Sequence, residues 1–150
     1  MLTINEYRKV ESLEEAYELN QKKNNKIIAG GVWMKIGDRR IATAIDLSGL
    51  GLDQITETDT EFVIGAMTTL REIEKHAGLA AYTDGAIRES VRHIVGVQFR
   101  NCATVGGSIF GRFGFSDVLT VFLAMDTQVE LYHAGMISLK AVSYTHLRAH

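Results

Sequence analysis

The spacing of apolar and polar positions changes along this chain, and each change marks an element. Ser12 and Glu15 have capping-box spacing ahead of an apolar-periodic stretch, which predicts a helix over 12–23. The polar run 21–26 ends it, and Lys26-Ile27-Ile28-Ala29 reads as a short buried strand running into Gly30-Gly31. Bulky apolar residues over 32–36 predict a helical turn packed beneath those glycines. A second strand is expected over 43–47, closed by the turn-prone Ser48-Gly49-Leu50-Gly51. Segments 54–56 and 61–64 flank a polar turn and predict a hairpin. Thr69 and Glu72 form a second capping box, opening a short helix to about His76. Over 86–95, Ile87, Val91, Ile94 and Val95 share a helical face, while Arg88, Glu89, Arg92 and His93 fill the other. Ser116 suits the N-cap of a helix over 117–125, and 128–132 alternates like an edge strand. Helices and strands interleave, so the pattern predicts an α+β fold of two subdomains dividing near residues 48–56.

Composition narrows the classes. The 150 residues are 46% hydrophobic and 23% charged, as in a globular domain, and the formal net charge of −2 points to neither nucleic acid nor membrane as a partner. No apolar run approaches the roughly 20 residues of a membrane span, and the N-terminus lacks the apolar core of a signal peptide, so a cytoplasmic location is expected. The single cysteine, Cys102, excludes an internal disulfide and any cysteine cage for zinc or an iron–sulfur cluster. Its apolar neighbours predict a small buried hydrophobe. The five histidines show no ligand spacing, so no metal site is expected, and Arg88, Arg92 and Arg100 read as a solvated basic face.

The 14 glycines cluster while proline is absent, and two clusters could carry chemistry. In Ile27-Ile28-Ala29-Gly30-Gly31-Val32-Trp33-Met34 a strand meets two glycines, a geometry that lines up backbone N–H groups for diphosphate oxygens. In Thr104-Val105-Gly106-Gly107-Ser108 two hydroxyls bracket a second pair. Each pair taken alone reads first as an ordinary turn. Asp117, in the first turn of its helix, either complements the helix dipole or accepts from ligand hydroxyls. Neither the G-x-G-x-x-G fingerprint nor a P-loop is present.

Taken together, AGGVWMKIG, IGAMTTLREIE, FRNCATVGGSIFG and FSDVLTVFLAMDTQVELY resemble, in order and spacing, the FAD-binding subunit of the xanthine dehydrogenase and carbon monoxide dehydrogenase family, the molybdenum hydroxylases. The resemblance covers about residues 1–139. It implies a PCMH-type FAD-binding domain of two α+β subdomains, 1–52 and 53–140. It further implies that residues 27–34 hold the diphosphate of a non-covalent FAD, that 104–108 hold it from the other subdomain, and that Asp117 bonds flavin-side hydroxyls. Ile94 falls where the family often puts an apolar residue against the cofactor. The implied partners are a molybdenum-cofactor subunit and a [2Fe-2S] iron–sulfur subunit, with electrons passing from the clusters through FAD to NAD or another acceptor. Molybdopterin and clusters belong to those partners, and no catalytic acid or base is expected in this chain. The family often has polar residues where Val32 and Trp33 stand, and Asn where Ser108 stands. Trp33 either stacks on the cofactor or packs in the core. Residues 141–150 do not continue the family pattern and resemble a translated sequencing-adapter tail, so they are expected to be non-native and the natural protein longer. The rival functions are a stand-alone flavin reductase of the same fold and a non-redox scaffolding module.

Overall fold

The computed structural model describes residues 1–142, so most of the stretch expected to be non-native lies outside the described residues. The chain opens with β1 (Thr3–Lys9), α1 (Leu13–Asn20), β2 (Lys26–Ile28), a 3-10 turn at Met34–Ile36 and β3 (Arg40–Asp46). The three strands make a parallel sheet in the order β1-β3-β2. Central β3 carries Ile41, Ala44 and Ile45 at 1% exposure or less, whereas every residue of edge strand β1 is exposed. That exposure explains why β1 leaves no apolar alternation to read in the sequence. α1 starts as its capping spacing predicts: the Ser12 hydroxyl accepts from the Glu15 N–H at 3.1 Å, and the Glu15 carboxylate accepts from the Glu11 N–H and Arg8.

The expected hairpin is β4 (Ile55–Glu57) with β5 (Phe62–Ile64), antiparallel, with Ile55 opposite Ile64. Five short helices follow: α2 (Leu70–Lys75), α3 (Ala77–Tyr82), α4 (Ala86–Arg92), α5 (Val97–Cys102) and α6 (Val105–Gly111). The Thr69–Glu72 capping box forms both of its reciprocal bonds, at 3.2 and 2.7 Å. His76 then ends α2 and starts α3, its Nδ1 accepting from the Leu79 N–H at 3.1 Å. The helix expected over 86–95 stops at Arg92, and Val95 takes a left-handed φ of 49°, which a β-branched residue rarely adopts. After α7 (Asp117–Ala124), capped by the Ser116 hydroxyl, the chain closes with the antiparallel hairpin β6 (Gln128–Leu131) and β7 (Gly135–Ser138).

Two clusters of buried side chains hold these elements. Val10, Ala16, Ile45 and Leu47 pack between the parallel sheet and α1, joined by Leu50, Leu52 and Met67. Leu70, Ile73, Ile87, Val91, Val118 and Phe122 form the centre of the larger one, under the helices. Segments 52–54 and 65–67 lie backbone to backbone: the Leu52 carbonyl accepts from the Met67 N–H at 2.8 Å, and a side chain at Gly65 would sit 2.1 Å from that same oxygen. The architecture is α+β, as expected. No helix among the described residues is long and apolar enough to cross a membrane.

Candidate functional site

β2 delivers its chain at the carboxyl end of a parallel sheet, the edge at which open α/β sheets gather ligands. From there the chain leaves the ladder at Ala29. Gly31 adopts φ 66°, and the 3-10 turn begins three residues later, the Lys35 N–H donating to the Gly31 carbonyl at 3.0 Å. Gly30 is needed for a different reason. A Cβ there would lie 1.9 Å from the carbonyl oxygen of Cys102 and 3.1 Å from the Ala103 nitrogen. The first glycine segment is therefore docked, backbone against backbone, on the chain just before the second.

The two segments differ in what they leave available. Among the described residues no acceptor takes the N–H groups of Gly30, Gly31, Val32 or Trp33. Such a run of unused amides attracts anions. The segment 104–108 is instead not a free turn. Thr104 is the N-cap of α6, its hydroxyl accepting from the Gly107 N–H at 3.1 Å. The Val105 N–H donates to Thr68, the Gly106 N–H to Ala66 and the Ser108 N–H to Thr104, each to a carbonyl at 2.9–3.0 Å. A side chain at Gly106 would meet the Ala66 carbonyl at 2.6 Å. The second pair of glycines thus lets α6 press onto the 65–69 segment, and its amides are already spent within the protein.

Other expected residues fall in varied places. The helical turn over 32–36 does not pack beneath the glycines, because Trp33 is 53% and Ile36 76% exposed. Asp117 is exposed at the first turn of α7. Ile94 packs against the larger core cluster, and its carbonyl accepts from Arg100 at 3.1 Å. Arg100 is not on a solvated face: its side chain is 7% exposed and pairs with Glu74 at 2.8 Å, tying α5 to α2. Arg71 pairs with the same carboxylate at 2.8 Å. Burial works to raise the Glu74 pKa, but hydrogen bonds and charge from Arg71 and Arg100 outweigh it and leave the group below its ordinary value. Cys102, expected to be buried, is exposed, because its backbone rather than its thiol meets Gly30.

Sequence reasoning missed two contributors. The first is Lys35, whose Cε lies 4.0 Å from where a Gly31 side chain would begin, so a cationic side chain flanks the loop. Only local proximity in sequence could have hinted at it. The second is Asp46, level with Ile28 in the sheet, which accepts from Ser48 N–H at 2.8 Å, from the Ser48 hydroxyl at 2.9 Å and from the Tyr7 hydroxyl. Its partial burial pushes the pKa up, but these bonds prevail and hold it low, so a carboxylate locks the turn beside the loop. A groove of about 610 Å³ runs along Asp53, Thr69, Lys75, His76 and Asn101. One of its lining residues, Asn101, directly precedes Cys102, whose carbonyl meets Gly30.

The family model described as the FAD binding domain in molybdopterin dehydrogenase matches residues 3–147. The uncharacterized protein YgfM of Escherichia coli (strain K12) is 28% identical over 145 residues, 91% of this chain and 53% of its own length. Among solved structures, the carbon monoxide dehydrogenase of Hydrogenophaga pseudoflava, in a form lacking the Mo-pyranopterin moiety of its molybdenum cofactor, superposes with a TM-score of 0.78. It is 26% identical, over 89% of this chain and 49% of the other. Quinoline 2-oxidoreductase from Pseudomonas putida 86 shares the fold with a TM-score of 0.77 and 20% identity, over 89% and 50%. The chain spans about half the length of the relatives it matches. It belongs to the family of FAD-binding domains of molybdopterin dehydrogenases.

Proposed function

We propose that this chain is the FAD-carrying part of an electron-transfer subunit in a molybdenum hydroxylase. One observation carries the reading. The unused N–H groups of Gly30, Gly31, Val32 and Trp33 form an open cradle, fixed in place by the contact of Gly30 with Cys102 and flanked by Lys35. An FAD diphosphate matches that cradle in charge and in its need for close approach without side chains. The residues present therefore fit the cofactor the family implies.

In this reading Ile27, Ile28 and Ala29 aim the loop, and the four amides bind the diphosphate while Lys35 balances its charge. Met34 starts the turn that closes the loop. The second segment contributes differently: Thr104, Val105 and Gly106 fix α6, and Gly107, exposed beside the Ser108 hydroxyl, offers a bare edge to the ligand. Asp117 accepts from ribityl or ribose hydroxyls. Ile94 is the apolar residue set against the cofactor. The flavin, when bound, supplies the redox chemistry, and the protein supplies position and field. Electrons would come from iron–sulfur clusters on a partner subunit and leave to NAD or another acceptor. The substrate would be oxidised on a separate molybdenum subunit, as in xanthine dehydrogenase.

The test is direct. The protein, incubated with FAD and passed through gel filtration, is expected to stay yellow at close to one flavin per chain. Colourless protein with native circular dichroism would refute the proposal and favour a scaffolding role.

A further inference from the structure

Three aromatic rings stand at the far end of the cradle, and neither core cluster includes them. Trp33 lies 5.4 Å from Phe113 and 5.9 Å from Phe115, centroid to centroid, and the two phenylalanines stack at 5.2 Å. All three remain open to solvent, at 53%, 40% and 68%. A contiguous exposed apolar surface of this kind marks a binding face rather than packing.

Its position limits what it binds. Gly30 touches the chain just before α6, and Trp33 touches Phe113, just after α6. The loop 30–33 therefore runs alongside α6, whose seven residues span about 10 Å at 1.5 Å per residue. The aromatic face begins where the run of free amides ends. FAD carries its isoalloxazine ring on a five-carbon ribityl chain beyond the diphosphate, so a diphosphate on the amides leaves a flat ring to be placed about one such span away. Planar rings favour offset or tilted stacking on aromatic side chains.

We infer that Trp33, Phe113 and Phe115 form the face against which the isoalloxazine ring of FAD lies, an inference that rests on the diphosphate reading above. The arrangement assigns the flavin end of the cofactor to the mouth of the cradle and the adenosine end to the groove beside Asn101. It also makes Trp33, the chain's one tryptophan, a reporter, since a tryptophan in contact with a flavin quenches its emission.

The experiment titrates FAD, and separately ADP in competition, into the wild-type protein, Trp33→Leu and Phe115→Leu, following flavin fluorescence. Both substitutions fall on exposed side chains, so folding is retained, with circular dichroism as the check. Trp33→Leu is expected to raise the emission of bound flavin several-fold and to weaken FAD about fivefold. Phe115→Leu should weaken FAD by a smaller factor, and ADP should bind all three proteins within about twofold of one another. Unchanged emission and FAD affinity in Trp33→Leu would overturn the inference while leaving the diphosphate reading intact. Equal losses for FAD and ADP would also overturn it, by showing that the face holds adenine or only props the loop. A folded wild-type protein that takes up neither ligand would instead overturn the diphosphate reading, and this inference with it.

Discussion

Gly30→Ala is the perturbation that discriminates best between a docked cradle and an ordinary turn. The added methyl would lie 1.9 Å from the Cys102 carbonyl oxygen, against an ordinary contact of 3.4–4 Å. Both partners are backbone, so no flexible side chain can swing aside, and the loop must retreat from α5 by about 1.5 Å. Forced overpacking of this kind costs about 1–3 kcal/mol. In a domain of this size that lowers Tm by roughly 5 °C. The same shift stretches at least one amide–diphosphate bond beyond useful length, and a hydrogen bond to a charged group is worth about 1.5–3 kcal/mol, so FAD affinity should fall about tenfold or more. Gly96→Ala is the matched control, because its added methyl meets only the Gln98 Oε1, at an ordinary 3.5 Å. Thermal unfolding and flavin titration of both proteins read the two effects. A Gly30→Ala protein that matches the control in both would refute the docking argument.

Two further outcomes concern the support beneath the site. Arg100→Met removes a side chain that is 7% exposed, holds Glu74 and reaches the Ile94 carbonyl, and should cost about 3 kcal/mol in urea denaturation. A loss under about 1 kcal/mol would mean the pair is merely tolerated. Because the pKa of Glu74 is depressed in the folded protein, its contribution is fully present above the unfolded value of 4.5 and is lost as pH falls through the lower folded value. Glu74→Gln should therefore flatten the fall in stability below that pH, and an acid limb identical to wild type would contradict the assignment.

Local signals were legible where the chain caps or alternates. Ser12, Thr69 and Ser116 each accept from the backbone N–H three residues on, as their spacing predicts, because capping is a short-range event. The hairpin over 55–64 was readable for the same reason, and so was the strand into Gly30, although β2 is an exposed edge strand and not the buried one expected. β1 was not, since an edge strand with exposed Ile4 and Tyr7 carries no burial period. Helix α6 was hidden by its glycines. Gly106 and Gly107 look like turn residues in sequence, yet Gly106 is small because α6 must approach Ala66. At the candidate site the two glycine pairs stand out in the sequence, but the division between free and bonded amides does not. That division depends on which carbonyls face which amides, a tertiary fact. Arg100 likewise reads as surface charge until Glu74, 26 positions away, is seen beside it.

The proposed diphosphate site depends on the unused amides of 30–33, and residue-resolved hydrogen exchange tests them most directly. Addition of FAD is expected to slow exchange at Gly30, Gly31, Val32 and Trp33 by at least tenfold. Val105, Gly106 and Ser108, already bonded within the protein, should change little. Bound FAD that leaves 30–33 unprotected, or that protects 105–108 instead, would contradict the claim that the first glycine loop holds the diphosphate.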